Sequence, residues 1–447
     1  MSTFMLRDAT LLTMNDERPL LRGNLLVQRG VITAVGGRFD APDGTPVIDC
    51  NGDYVMPGVV QTHVHLCQVL FRHEAEGLPL VGWLTQRIFP LEAAHDEASI
   101  RASAELGIAE LLLSGTTCLL DMGTVHHTEQ VVQAIADSGI RAAFGKAMMD
   151  LPGDAPAGLR ETTQASIDGS LELAHHWHGA LDDRIRYAFA PPWVLPCTAE
   201  LQQELARQSR EHGYLIHTHA AEHLGEIAEV ERRHGARNVA VLHELGLCTE
   251  RSVFAHCVHL DDHERQLLAA TGTSVAHCPS ANLKLGSGIC DLPALLRAGV
   301  NVGIGADGAP CNNGLDGLVE MRLAHLLQQM AAGPGSVRPR DVLHMATRGG
   351  AKALGWENRI GQLMPGFDAD IVRLRRDDFR LGLGSDPWTE IVTCGTRDLV
   401  RSVWVRGEQL VDSGQLTRLD HAWLRANGRE QLQAVLRRAF DEERVLG

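Results

Sequence analysis

Between residues 59 and 307 the chain alternates short apolar, β-branched runs with longer stretches in which apolar positions recur every three or four residues. The short runs predict strands over 59–63, 117–121, 141–147, 185–190, 214–219, 252–256, 273–277 and 301–307. The longer stretches predict amphipathic helices, among them 99–114, 128–138, 167–176, 199–212 and 261–271. Eight strands, each followed by helix over roughly 250 residues, match an α/β fold of the (β/α)8 TIM-type barrel class. An open doubly wound sheet is the alternative, but no dinucleotide-type glycine fingerprint follows the first strand.

The two ends of the chain have another texture. FMLRDATLLTM, NLLVQRGVITAVGG and TPVIDCNGDYVM cluster or alternate β-formers, with turn signals at Arg29-Gly30, Gly36-Gly37 and Asn51-Gly52. The same texture returns where Gly361 to Val372 reads as a turn into a strand, and where 400–411 reads as strand, Arg406-Gly407 turn, strand. Two β-rich ends around a different middle predict one small, discontinuous β-domain over 1–56 and 360–415, a barrel over 57–359 and a helical segment over 416–447. Further helices are expected over 338–354 and 416–444.

Composition narrows the function. With 44% apolar and 22% charged residues the chain is an ordinary globular sequence. Its net charge of −15, without a Lys/Arg cluster, argues against nucleic acid as a partner. No apolar segment approaches the ~20 residues needed to span a bilayer, so no membrane is expected. The N-terminus lacks a signal-peptide layout. Ten scattered cysteines form no CxxC pair, which suits reduced thiols in a cytoplasmic protein.

Chemistry gathers at the ends of the predicted strands, where a barrel carries its active site. The first ends in His63 and His65, which share a strand face because side chains alternate. The fifth ends in His217, His219 and then Glu222; the sixth in His256; the seventh in His277; the eighth in Asp307. One such histidine means little in a chain that has 22, but their convergence on one rim points to a metal site. His217 and His219 lie on one strand face, and spacing alone does not choose between them.

The stretches PGVVQTHVHL, THAAEH, FAHCVHL, SANLKLGSG and GADGAPCNN resemble the amidohydrolase superfamily over nearly the whole chain. Together they are similar to the branch that holds S-adenosylhomocysteine, methylthioadenosine and deoxyadenosine deaminases, guanine deaminases and triazine hydrolases. That resemblance implies a barrel plus a β-sandwich built from both termini. It implies His63, His65, His219 and Asp307 as ligands of one divalent metal, zinc first, with iron or manganese also compatible. The metal would lower the pKa of a water from 15.7 toward about 7. The HxxE register selects His219 over His217 and makes Glu222 the proton donor to the substrate ring. His256 would hydrogen-bond the water or the tetrahedral centre, and Asp307 would accept the water's proton. Relatives with two metals bridge them with a modified lysine on the fourth strand. Residues 184–193 contain no lysine, and Lys146 lies on the third, so one ion is expected.

The segment from Leu78 to Glu92 resembles one that, in adenosine-type deaminases, puts a tryptophan over the substrate and a glutamate on the ribose hydroxyls. That implies Trp83 and Glu92 as substrate contacts. Where adenosine-type members carry Gly-Pro-His-Ser and guanine deaminases Pro-Arg-Phe, this chain has Ala190-Pro191-Pro192-Trp193-Val194. Trp193 can stack on a flat heterocycle instead. Asn282, Lys146 and Arg160 are further polar candidates, Cys311 a pocket-lining one, and His259 and His277 structural or pocket-lining. The expected function is hydrolytic deamination of a small-molecule aminated heterocycle, an adenine nucleoside first, by metal-activated hydroxide with release of ammonia. The alternatives are a triazine chloro- or amino-hydrolase, a deaminase of a free base such as guanine or a related purine or pterin, and a non-catalytic barrel scaffold. Related enzymes imply a homo-oligomer.

Overall fold

The computed structural model describes residues 2–151 and 155–440. Eight parallel strands, Val59–His65, Thr116–Met122, Arg141–Gly145, Ile185–Phe189, Leu215–Ala220, Ser252–His256, Ser274–His277 and Val302–Ile304, follow one another around a ring. Ile304 pairs with Gln61 and closes it. Each strand presents two faces. Leu119, Phe144, Tyr187, Ile216, Phe254 and Val275 point outward into the layer of helices. Leu120, Ala143, Ala188, Leu215, Val253, Ala255 and Ala276 fill the interior, closed below by Leu354, Trp356 and Ile360. Runs of small inward residues let so narrow a cylinder close.

The eighth strand differs from the continuous 301–307 expected of it. It stops at Ile304, and a two-residue strand, Asp307–Gly308, pairs instead with Val64 and His65. Gly305 permits this approach, because a Cβ there would come within 2.9 Å of His63 Cβ. Asp307 itself takes a positive φ of 64°, so the chain turns as it reaches the rim.

The chain ends form one sheet of nine mostly antiparallel strands. Ile371–Leu374 lies between Tyr54–Pro57 and Val400–Val405, joining the C-terminal strands to the N-terminal ones. Phe4, Leu6, Leu25, Val27, Ile371 and Trp404 make its separate core. Arg141, fully buried at the foot of the third barrel strand, fastens sheet to barrel. Its Nε donates to Asp370 Oδ2 at 2.8 Å, its Nη2 to Asp368 Oδ2 at 2.8 Å and its Nη1 to the Asp183 carbonyl at 3.3 Å.

Two helices depart from expectation. The stretch 338–354 is helical from Pro339 to Ala353, but with a wide turn at Met345–Gly349. There Gly349 and Gly350 press on the barrel, where a Cβ would meet the Val302 carbonyl at 2.5 Å and Val60 Cβ at 2.7 Å. The last helix begins at His421, not 416, because Gln415–Leu416 is a strand and Asp420 caps the helix through the Trp423 N–H at 2.7 Å. It runs to Ala439; the remainder of the expected helix, 441–444, lies outside the described residues. Among the described residues no helix is long and apolar enough to cross a membrane.

Candidate metal centre and catalytic pocket

Strand alternation alone would not bring the rim histidines together. In the first strand Val60 faces the interior, and His63, three residues on, does so too. A slip in pairing with the second strand between Gln61 and Val64 makes this possible and turns both His63 and His65 inward. In the fifth strand Leu215, His217 and His219 keep a regular two-residue period. His256 follows the inward Ala255, so alternation would send it outward. Its positive φ of 70° swings it back to the rim.

The result is a buried group in which one ligand-capable atom each of His63, His65, His219 and Asp307 lies within 4.8 Å of the others. Asp307 Oδ1 is 3.2 Å from His63 Nε2 and 3.3 Å from His65 Nε2. The second nitrogen of each ring is held from behind. His65 Nδ1 donates to the Met122 carbonyl at 2.8 Å and His219 Nδ1 to the Pro192 carbonyl at 2.7 Å. His63 Nδ1 lies 2.8 Å from His217 Nε2, so His217 orients its neighbour. Burial holds His63 and His65 near a pKa of about 4 and His219 near about 3, leaving neutral imidazoles with a lone pair each. The buried His63 Nε2 has no hydrogen-bond partner. Three imidazole nitrogens locked by their far sides, one carboxylate oxygen and an orphaned inward nitrogen fit a divalent metal of the zinc type.

Glu222 and His256 stand beside this group. Glu222 Oε2 is 3.7 Å from His256 Nε2, which is also 3.7 Å from Asp307 Oδ2. Glu222 is fixed twice: Ser287 Oγ donates to its Oε1 at 2.9 Å, and its own N–H donates to Glu226 Oε2 at 3.0 Å. Burial raises the Glu222 carboxyl above its usual range. Burial opposes a charge on His256, but the Glu222 and Asp307 carboxylates and Asn282 outweigh it and raise that imidazole.

A cavity of about 470 Å³ opens from these residues, a volume suited to a small organic ligand. Trp83, Glu92 and Trp193 line it. Trp193 stacks on Phe89 with ring planes 2° apart and centroids 6.3 Å apart. Glu92 Oε1 accepts from Gln68 Nε2 at 2.9 Å, and burial pushes its carboxyl up to about 7. Asn282, expected as a polar contact in the pocket, does not line it; its Oδ1 lies 2.8 Å from His256 Nδ1, behind that ring. Lys146 pairs with Glu161, and Arg160 Nε donates to the Ala155 carbonyl at 2.8 Å; neither lines the cavity. Cys311 is buried under Gly308, with Sγ 3.1 Å from its carbonyl, and does not line the cavity either. His259 donates to the Ser287 carbonyl at 2.6 Å, steadying the loop that holds Glu222, and His277 is buried. Sequence reasoning missed Glu226, Ser287 and Gln68. Ser287 sits inside the SANLKLGSG stretch, and Glu226 lies one helical turn beyond Glu222, so both signals were present.

The match to known proteins now has a geometry to explain. Residues 54–410 match the family model described as amidohydrolase family. The chain belongs to the amidohydrolase family. Curated relatives of this amidohydrolase include a 5'-deoxyadenosine deaminase of Methanothermobacter thermautotrophicus, 37% identical over 92% of this chain and 94% of the relative. A 5-methylthioadenosine/S-adenosylhomocysteine deaminase of Moorella thermoacetica is 33% identical over 94% and 96%. Among solved structures, an adenosine deaminase of Xanthomonas campestris with bound zinc superposes with a TM-score of 0.91 at 30% identity, covering 97% and 98% of the two chains. An atrazine chlorohydrolase of Arthrobacter aurescens, complexed with zinc, gives 0.91 at 25% identity over 96% and 100%. The expected hydrolase class, acting on carbon–nitrogen bonds, agrees with this membership.

Proposed function

We propose that this amidohydrolase deaminates an adenine nucleoside of the S-adenosylhomocysteine, 5'-methylthioadenosine or 5'-deoxyadenosine type, using one zinc ion. The observation that carries the reading is the pairing of Glu222 and His256 beside the four-residue group at the cavity floor. His63, His65, His219 and Asp307 would hold the ion, whose Lewis acidity makes a water nucleophilic near neutral pH. The fourth strand, Ile185–Phe189, offers no lysine, which supports a single ion.

The chain's own groups then handle protons. Glu222, whose carboxyl burial raises above its usual range, gives a proton to the ring nitrogen beside the amino-bearing carbon as oxygen adds to that carbon. His256 hydrogen-bonds the adding oxygen and accepts charge from it, while Asn282 fixes its far nitrogen. Of the two protons the water gives up, Asp307 accepts and relays them, one restoring the Glu222 carboxyl and the other reaching the amino group; the C–N bond then breaks as the C=O bond forms, and ammonia leaves. Trp83 and Trp193 supply aromatic faces to a flat base, and Glu92 accepts hydrogen bonds from vicinal hydroxyls. The ten cysteines are all unpaired, nine of them buried, which supports a reducing, cytoplasmic setting.

Ammonia release from a panel of adenine nucleosides, free purines, pterins, pyrimidines and triazines, with elemental analysis of the same sample, tests the reading. Ammonia from adenine nucleosides and one zinc per chain is expected. Chloride or an alkylamine without ammonia would favour the second reading, triazine hydrolysis, which the likeness to the atrazine chlorohydrolase and the missing purine-edge groups at 190–194 support. The intact ligand set, Glu222 and His256 count against a non-catalytic scaffold.

A further inference from the structure

The ionisable side chains that line the cavity are mostly acidic. Among the described residues that line it are five carboxylates, those of Glu92, Glu222, Glu226, Glu229 and Asp307, against one permanent cation, Arg233. Glu226, Glu229 and Arg233 project from one face of the helix Leu224–His234, which begins beside Glu222 and leads away from the reacting end. Seven residues of helix carry the wall about 10 Å outward, roughly the reach from a purine amine to the 5' end of its nucleoside. There Arg233 is already committed: its Nε donates to Glu229 Oε1 at 2.5 Å. Glu229 also binds Arg232 through both carboxylate oxygens, at 2.7 and 2.8 Å. The lining also includes the apolar side chains of Met149, Leu151, Trp193 and Leu195.

Resting on the nucleoside reading above, we infer that the site selects nucleosides whose 5' substituent carries no net negative charge, and that Glu229, by occupying Arg233, sets this selectivity. An anionic 5' group would displace Glu229 from Arg233 or lie unpaired beside Glu229, whereas an uncharged methyl, hydroxymethyl or thioether group disturbs neither side chain. The device is repulsive: it costs a neutral substrate nothing and an anionic one its only cationic partner. Within the adenine nucleosides named above, 5'-deoxyadenosine and 5'-methylthioadenosine carry no charge at the 5' end, and S-adenosylhomocysteine carries a carboxylate offset by an ammonium, so none of them presents a net anion to Glu229.

The test compares kcat/KM and calorimetric affinity for 5'-deoxyadenosine, S-adenosylhomocysteine and adenosine 5'-monophosphate. The wild-type enzyme is expected to favour 5'-deoxyadenosine over the monophosphate by about 100-fold, with S-adenosylhomocysteine, whose ammonium offsets its carboxylate, penalised far less. In Glu229→Gln the affinity of the monophosphate relative to 5'-deoxyadenosine should rise about five- to tenfold, and the added Arg233→Ala substitution should return it to the wild-type ratio. Raising salt should shrink the wild-type discrimination, which a purely steric wall would not show. A monophosphate within about threefold of 5'-deoxyadenosine in the wild type, or a ratio unmoved by Glu229→Gln, overturns the inference alone. Failure of every adenine nucleoside to bind or release ammonia overturns the parent reading and this inference together.

Discussion

The barrel carries a buried polar cluster at each end, and the two are satisfied to different degrees. At the foot, Arg141 spends its guanidinium on Asp370, Asp368 and the Asp183 carbonyl and lies 5.3 Å from the Trp356 ring centroid. At the mouth, among the described residues, His63 Nε2 and His256 Nε2 are buried and make no hydrogen bond, with Asp307 oxygens 3.2 and 3.7 Å away. Orphaned buried polar atoms cost free energy, on the order of 1–3 kcal/mol each, and persist where something else completes them. The foot is a finished joint; the mouth is a socket. Burial and charge look alike in the two clusters, and their hydrogen bonds distinguish them: the Arg141 guanidinium is paired, and the inward nitrogens of His63 and His256 are not.

The sharpest way to break the comparison is Asp307→Ala. It removes the only carboxylate of the four-residue group, so metal and activity should fall together, activity by about 10⁴-fold or more. Elemental analysis beside a turnover assay checks this, and an unaltered metal content would remove Asp307 from the ligand set. The foot should stay intact, with the metal-free stability little changed. Glu222→Gln separates holding from chemistry at the mouth. It preserves shape and the Ser287 contact while removing the transferable proton, so kcat should drop about 10³-fold with metal retained. Undiminished turnover would end the proton-transfer assignment.

Arg141→Ala attacks the other end. It strands Asp370 in a buried site, while Asp368 keeps Arg359 at 2.8 Å, and removing one partner of a buried pair costs about 3–5 kcal/mol. Urea unfolding should show that loss, while KM for the substrate and metal per folded chain stay near wild type. If Arg141→Ala instead lowered metal content in the folded fraction, the two ends would be coupled and the contrast between them would fail.

Legibility from sequence followed the same divide. Strand positions were readable because a period of two is local, and the four residues that gather at the rim were picked out by the family resemblance of the HxH, HxxE and Asp stretches. The joint at Arg141 was not, since its partners lie 227 and 229 residues away and no local pattern links them. His256 was placed by its position at a strand end, but its orientation depends on a positive φ that alternation would not predict. The break in the eighth strand depends on Gly305 meeting His63, a contact between opposite ends of the barrel sequence. Asn282 looked like a pocket residue because its motif was near the site. Only the fold shows that it stands behind His256.

That position gives the smallest and most diagnostic prediction. Asn282 Oδ1 accepts from His256 Nδ1–H at 2.8 Å, which directs Nε2 toward Glu222 and Asp307. Groups that orient a catalytic or ligating histidine from behind are worth roughly 10–100-fold. Asn282→Ala should therefore lower kcat within that range, leave KM nearly constant because the side chain does not line the cavity, and leave metal content unchanged because His256 is outside the four-residue group. Asn282→Asp keeps an acceptor at the same place and should recover most of the rate. A change confined to KM would return Asn282 to the pocket wall, and a loss of metal would make His256 part of the ligand group. Recovery by Asp but not by Ala would show that the acceptor, and not the volume of the side chain, holds the imidazole in place.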